Sequence, residues 1–395
     1  MHLTYKYRLL PTRAQHRALE RILEDQRQLY NAALQERIDC YRKTGKGRTY
    51  FDQCKALVEL RRDPEFAATP SYLQRWTLRR IDDAYNAFYR RLKVRNGKAG
   101  FPRFRGKDYW DSFGFAEFRG VRFDGKRLRF RGMPGGLRVH AHRELPNGKV
   151  CSCVLLRDAR GWSVCFHVEV ETPTKRSVLT SVGIDLGLKV FAYHSDGVIV
   201  PNPRVARKAE RKMRIRQRAL ARCKRGSNRR RKVKADLGRL HHKIVNTRKT
   251  WLHQQSARIA NSYDLIAAED LNVSGMVKHP TQARSIHDAS WGKFIQMLSY
   301  KAERAGSTFI TVNPRNTSQR CSGCGELVPK SLSVRTHSCP SCGLEIDRDH
   351  NASLNILQAV VGLGQPNVAG YGKRAARNLK EISNLDTYPG VRGDD

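Results

Sequence analysis

Two sets of side chains in the C-terminal half are of types that do chemistry at a set spacing. Cys321 and Cys324 stand two residues apart, as do Cys339 and Cys342, with fourteen residues between the pairs. Each pair is followed by glycine, so each can close into a tight knuckle that aims two thiolates at one ion. Two knuckles complete a tetrahedron, which is the donor set of structural zinc. All four positions are then protein, and none is left for catalysis. A redox dithiol would need two cysteines, not four. Cys40, Cys54, Cys151, Cys153, Cys165 and Cys223 lack such a pattern and read as packing residues.

The second set is acidic. Hydrolysing a phosphodiester near neutral pH needs a strong nucleophile and a screened leaving oxygen, which two divalent ions about 3.5–4 Å apart supply. Mg²⁺ takes oxygen ligands, so such a site gathers carboxylates. Asp185 lies in "VGIDLG", where Gly183 and Gly187 leave room for a ligand's approach. Glu269 ends the apolar run "LIAAE". Asp349 opens the helical stretch "HNASLNILQAV", where the helix dipole favours its ionised form, and Asp347 is its near rival. Singly these are a strand–turn, a strand-end charge and an N-cap. Together, each at the end of an element, they read as one site that only folding can assemble.

The elements that must position them follow from periodicity. "LTYKYRLL" (Leu3–Leu10) alternates as a strand. A helix follows, with Thr12 and Gln15 forming a capping box. A second helix is predicted over Ser71–Lys93, its stripe running Leu78, Ile81, Tyr85, Phe88, Leu92, with Arg75, Arg79, Arg80, Arg90 and Arg91 beside it. Residues 12–95 therefore read as a basic helical bundle. From Lys98 the period becomes two, with turns at "FDGK", "PNGK" and "DARG", which predicts an antiparallel β-domain closing as a small barrel. The strand Leu3–Leu10 could join it and make the bundle an insertion; periodicity does not settle this. Phe101, Arg103, Phe104 and Arg105 mix rings and cations, either as a nucleic-acid surface or as a strand end packed on the barrel. Beyond Ser177 come a strand pair, two charged helices within Arg204–Lys249 broken at "RGSNRRRKVK", a strand Asp264–Leu271, a helix, and a strand "STFITVNP".

The formal charge is +39, from 75 Lys+Arg against 36 Asp+Glu, which argues for a polyanionic partner. Two charged helices including Arg229, Arg230 and Arg231 suit a phosphate backbone. No stretch of about 18 apolar residues occurs, so no bilayer span and no membrane partner are expected. Without an export signal, disulfides are not expected either.

The segments "GIDLGLKVFA", "AAEDLNVSGM", "TSQRCSGCG" and "CPSCGLEIDRDHNASLNI", all within Gly183–Ile356, resemble the signature segments of TnpB. TnpB proteins are encoded by bacterial insertion sequences and related to type V CRISPR effectors. The resemblance implies an α+β multidomain chain. A RuvC nuclease domain of RNase H-like fold would take 177–316 and 343–365, and an inserted zinc ribbon 317–342. A β-barrel wedge domain would take 1–11 and 96–176, a helical recognition domain 12–95, and a disordered tail 366–395. Asp185, Glu269 and Asp349 would be the nuclease acids, with Asp185 and Asp349 anchoring two Mg²⁺ and Glu269 binding one. The four cysteines would hold structural zinc and so set the helix carrying Asp349. The partners implied are a guide RNA from the transposon end and a double-stranded DNA target, in the bacterial cytoplasm at the nucleoid. The helix Ser71–Lys93 and the barrel would read a short motif beside the target, with Gln74 as a candidate contact and Arg75, Arg79, Arg103 and Arg105 nearby. A non-cleaving regulator, an accessory factor binding transposon ends and a small type V CRISPR effector are the other readings.

Overall fold

The computed structural model describes residues 1–94, 99–158, 160–331 and 333–361. The tail expected over 366–395 lies outside the described residues. The chain divides into two units, Met1–Glu171 and Thr172–Asp395.

In the first unit, strand β1 (His2–Leu10) buries every second residue, Leu3, Tyr5, Tyr7 and Leu9. Helix α1 (Arg13–Thr44) starts at Thr12 through the capping box with Gln15 and stops at Gly45, whose φ of 67° is left-handed. Helices α2 (Tyr50–Leu60), α3 (Pro64–Ala68) and α4 (Ser71–Val94) follow. The buried stripe of α4, Leu73, Leu78, Ile81 and Tyr85, shares one core with Leu19, Ile22, Tyr30 and Leu34 of α1. That stripe is shorter than its rhythm predicts, because Leu92 is exposed.

Strands β2 (Ser112–Phe115), β3 (Val121–Phe123), β4 (Arg127–Phe130), β5 (Leu137–His140), β6 (Lys149–Asp158) and β7 (Gly161–Glu169) complete the unit. The sheet runs β2-β6-β7-β1-β5-β4-β3. Every ladder is antiparallel. Because β1 pairs with both β5 and β7, helices α1–α4 lie between the first and second strands of one sheet. The end strands β2 and β3 are only five residues apart, 116–120, so the sheet curls until its edges approach. No ladder joins those edges among the described residues, which makes it a near-barrel rather than a closed one. Phe113, Phe115, Leu128, Leu155, Val164 and Phe166, all fully buried, belong to its core.

The second unit is built on β8 (Ser181–Leu186), β9 (Val190–His194), β10 (Ile199–Pro201), β11 (Leu265–Glu269) and β12 (Thr308–Val312), ordered β10-β9-β8-β11-β12. The β8–β11–β12 ladders are parallel, the other two antiparallel. The long connection holds α5 (Val205–Ala221) and α6 (Asn228–Ser262), and α7 (Val273–Met276), α8 (Ala283–Ala289) and α9 (Trp291–Ala305) come after β11. A short ribbon of β13 (Thr336–Ser338) and β14 (Glu345–Asp347) leads directly into α10 (Arg348–Val361).

Alternation divides this sheet between two cores. Val182, Ile184, Leu186 and Ile266 pack with Ile259 of α6 and Phe294 and Leu298 of α9. Ala267 and Val312 pack with Ile356 and Val360 of α10. Gly183 therefore faces α10, and a Cβ there would lie 2.1 Å from the Ser353 carbonyl oxygen and 2.8 Å from the Leu357 nitrogen. Its missing side chain admits a helix backbone, not a ligand as the sequence suggested. Gly183→Ala must push α10 off the sheet, and overpacking of this kind costs roughly 1–3 kcal/mol. Calorimetry should show a lower melting temperature for that variant; an unchanged one would mean α10 is not seated this closely.

Candidate active site and metal centre

Asp185 and Glu269 reach one end of the second unit's sheet by simple parity, and Asp349 reaches it from the helix packed on that sheet. Asp185 is two residues beyond Gly183 and Glu269 two beyond Ala267, so both face α10. The β8–β11 register pairs Ala268 with Ile184; one step further sets Glu269 beside Asp185. Asp349 sits in the first turn of α10, its Oδ2 4.0 Å from where a Cβ on Gly187 would be. Asp185 is partly exposed, while Glu269 and Asp349 are buried.

The charges act on one another. Burial, then the carboxylates of Glu269 and Asp349, push the Asp185 carboxyl well above its ordinary range. Burial also raises that of Glu269, against the Thr317 hydroxyl that donates to it. Asp349 accepts from Arg348 at 2.9 Å, and Arg335 lies 3.5 Å from its other oxygen. The oxygens of Glu269 and Asp349 are thus turned onto hydroxyl and cationic donors. Among the described residues, the group of side chains whose ligand atoms converge within 4.8 Å is the four cysteines, not these acids. As a donor set, three carboxylates gathered at the C-terminal ends of β8 and β11 are hard oxygen ligands suited to Mg²⁺.

Asp347 has a different task from Asp349. Its Oδ1 accepts from the amides of Asp349 at 2.8 Å and His350 at 3.3 Å, so it caps α10. Asn351 and Asn355, overlooked in the sequence, lock the same helix. Asn351 donates to the Arg320 carbonyl at 2.7 Å and accepts from the Ser322 amide at 2.9 Å. Asn355 donates to the Thr317 carbonyl at 2.8 Å and that of Arg320 at 2.7 Å. Two asparagines four apart on the helix carrying Asp349 were a readable signal, since such positions share one face.

The cysteines form a compact tetrad. The sulfurs of Cys321 and Cys342 are 3.6 Å apart, as are those of Cys324 and Cys339. A disulfide needs about 2.05 Å, whereas four sulfurs about 2.3 Å from one ion lie about 3.8 Å from each other. Each knuckle closes through a glycine amide: Gly325 donates to the Cys321 carbonyl at 2.9 Å and Gly343 to that of Cys339 at 3.0 Å. Both glycines need their positive φ, 81° and 76°. The Cys342 amide, aided by that of Ser341, holds the Cys339 thiol down to about 6, so a thiolate is available near neutral pH. The number, type and spacing of the donors fit zinc.

The nucleic-acid candidates divide. Gln74 is 2% exposed; its amide donates to the Phe66 carbonyl at 2.9 Å and its oxygen accepts from Arg61. It packs α4 against the α2–α3 turn and presents nothing at the surface. Arg230 donates to the carbonyls of Leu220 at 2.8 Å and Cys223 at 3.3 Å, closing the end of α5, whose last carbonyls need donors. Arg75, Arg79, Arg103, Arg105, Arg229 and Arg231 are exposed, with Arg79 stacked 5.2 Å over Tyr50.

Two outcomes follow from this geometry. Cys339→Ser should lower bound zinc measured by atomic emission; one full equivalent per chain would remove the thiol assignment. Asp185 is protonated more readily folded than unfolded, so it weighs against stability increasingly as pH rises from about 4. Asp185→Asn in chelator should therefore melt higher than wild type, by about 2–4 °C per kcal/mol recovered, with a gap wider at pH 8 than at pH 5. A gap that does not grow with pH would show that the carboxyl carries no such load.

Comparison with known proteins agrees along the chain. Family models described as "Probable transposase" (OrfB_IS605), "Cas12f1-like, TNB domain" and "Helix-turn-helix domain" match residues 163–279, 291–356 and 1–46. The last covers one strand and a single continuous helix here. A protein of Streptomyces pristinaespiralis described as "Putative RNA-guided DNA endonuclease" is 29% identical over 90% of this chain and 88% of its own. One of Escherichia coli K12, "Putative RNA-guided DNA endonuclease InsQ", is 29% identical over 90% and 91%. The fold is similar to that in the cryo-EM structure of a Cas12f1–sgRNA–target DNA complex, with a TM-score of 0.57 at 14% identity over 87% of this chain and 83% of that one. The matched models fall on both halves of the chain and the two relatives match along nine-tenths of it, in keeping with the resemblance to TnpB.

Proposed function

We propose that this protein is an RNA-guided DNA endonuclease of an insertion sequence, cutting target DNA beside a short transposon-associated motif. The observation that carries the reading is the placing of Asp185 and Glu269 side by side at the ends of β8 and β11, with Asp349 on the helix packed against them, close enough for the other two to raise the Asp185 carboxyl. The names of the relatives that match along nine-tenths of the chain support it. On this reading residues 177–316 and 343–365 form a RuvC nuclease domain, 317–342 its zinc ribbon, and 1–11 with 96–176 a wedge domain carrying the helical domain 12–95. A mixed sheet with two of the acids on neighbouring parallel strands and the third on a helix packed against it supports this reading.

Divalent cations bound by these carboxylates would supply an activated water and screen the departing 3′ oxygen. The chain's own residues provide the rest. Asp185 and Asp349 anchor from opposite elements, sheet and helix. Glu269 is oriented by the Thr317 hydroxyl. Arg335 and Arg348, already on Asp349, place positive charge where a phosphate would come. The exposed Arg75, Arg79, Arg103, Arg105, Arg229 and Arg231 serve the nucleic-acid backbone, which positions without reading sequence; guide pairing supplies the specificity.

Asp185→Ala should bring cleavage of a guide-matched duplex to background while leaving RNA and DNA binding intact; cutting at the wild-type rate would remove the site. Sequencing RNA that co-purifies from the host should return one discrete transposon-end transcript, and its absence would favour an unguided DNA-binding role.

A further inference from the structure

The first unit holds a second concave site, unrelated to the acids. A depression of about 940 Å³ opens at the β4–β5 end of the curled sheet and the loop after β5. Its rim is cationic. Arg127 and Arg138 are direct cross-strand partners, both exposed. Like charges placed opposite one another destabilise a sheet. Two carboxylates, Asp124 and Glu144, also line the depression, and Asp124 does not relieve the pair: it accepts from the backbone amides of Lys126 at 2.9 Å and Arg127 at 2.6 Å, and its other oxygen is taken by Arg129. Lys126 lines the same rim, fixed where its carbonyl accepts from the Val139 amide at 2.8 Å. An arrangement that repels itself is relieved by an anion.

The walls add ring faces. Phe123 is half-buried, and His140 and His142 are exposed with ring centres 6.3 Å apart. Beneath them Tyr7 lies 5.4 Å from His142. Tyr7 is 1% exposed, and Arg143, whose guanidinium acts on the Tyr7 hydroxyl, lines the same depression and adds a further cation. Cations for phosphate and rings for a base together describe a nucleotide.

We infer that this depression holds an unpaired nucleotide of RNA, so that the open end of the near-barrel anchors the guide. The inference rests on the RNA-guided reading and specifies where the chain grips its RNA. Structured RNA offers splayed bases in loops and bulges that stack on rings and arginines. A DNA duplex offers none without unpairing.

The test uses full-length protein stripped of nucleic acid and three fluorescein-labelled probes of one sequence: single-stranded RNA, single-stranded DNA and duplex DNA. The Arg127→Ala/Arg138→Ala double variant should weaken RNA binding about tenfold and reduce the log–log salt slope by roughly 1.4, about 0.7 for each lost phosphate contact. Duplex DNA affinity should stay within about twofold, as expected if other basic residues carry it. The melting temperature should not fall, since a repelling pair has been removed. His142→Ala should weaken RNA binding several-fold with the circular dichroism spectrum unchanged. Unchanged RNA affinity and slope, equal losses on all three probes, or a greater loss for single-stranded DNA would each overturn the inference. The two readings fail separately: a protein that carries guide RNA and cuts, yet whose double variant binds RNA normally, defeats this site alone. A protein that carries no RNA and cuts nothing defeats the RNA-guided function whatever the slope.

Discussion

Carboxylates brought near one another in partial burial repel, and a fold that gathers three must prevent the backbone from yielding. That constraint organises the second unit. Asp185 and Glu269 are fixed by a parallel ladder of β8 and β11, which cannot slip by one residue without exchanging the two cores. Asp349 is held by a helix whose backbone comes so near β8 that only glycine fits at 183. Strand side and helix side are independently anchored, so repulsion finds no soft coordinate. What remains is expressed in protonation, as the upward shift of Asp185, and in the pairing of Asp349 with Arg348 and Arg335.

The thiol tetrad enters through the same constraint. From Cys342 the chain passes in five residues to Asp347, which ends β14 and caps α10. Upstream, the segment entering the Cys321 knuckle is tied to Asn351 and Asn355 of that helix. Thr317, at the head of the segment, reaches back to Glu269. One short excursion therefore touches two of the three acids, and closing it at the thiol tetrad stiffens the frame that holds the carboxylates. The adjacency of thiols and carboxylates in sequence is the adjacency of a clamp and the element it clamps.

Much of this was legible beforehand because it rests on local rules. The capping box at Thr12, the strand alternation of Leu3–Leu9 and the paired-cysteine spacing need only a few neighbouring residues. What was not legible depended on distant partners. Gly183 suggested room for a ligand because its true neighbour, the Ser353 carbonyl, is 170 residues away. The α4 stripe ran past its packed length because nothing in its rhythm says where α1 stops covering it. The asparagines of α10 looked ordinary until the carbonyls they serve were known. Gln74 stood among arginines and was read as surface, yet the preceding turn left the Phe66 carbonyl for its amide.

Net charge is informative in the same limited way. A surplus of +39 states that the chain meets an anion, but not with which cations. The fold sorts them. Arg230 answers the carbonyls ending α5, and Arg248, buried, donates to the His287 carbonyl at 2.7 Å and the Ser290 hydroxyl at 3.1 Å. Such guanidiniums are engaged by backbone oxygens within the fold, and removing them would disturb packing before binding. Arg127 and Arg138 do the reverse: they face each other across a ladder, gain nothing from it, and stand over a hollow with ring walls. An arginine whose position is unfavourable in the free protein is the better candidate for a nucleic-acid contact, because its position is explained only by what it binds.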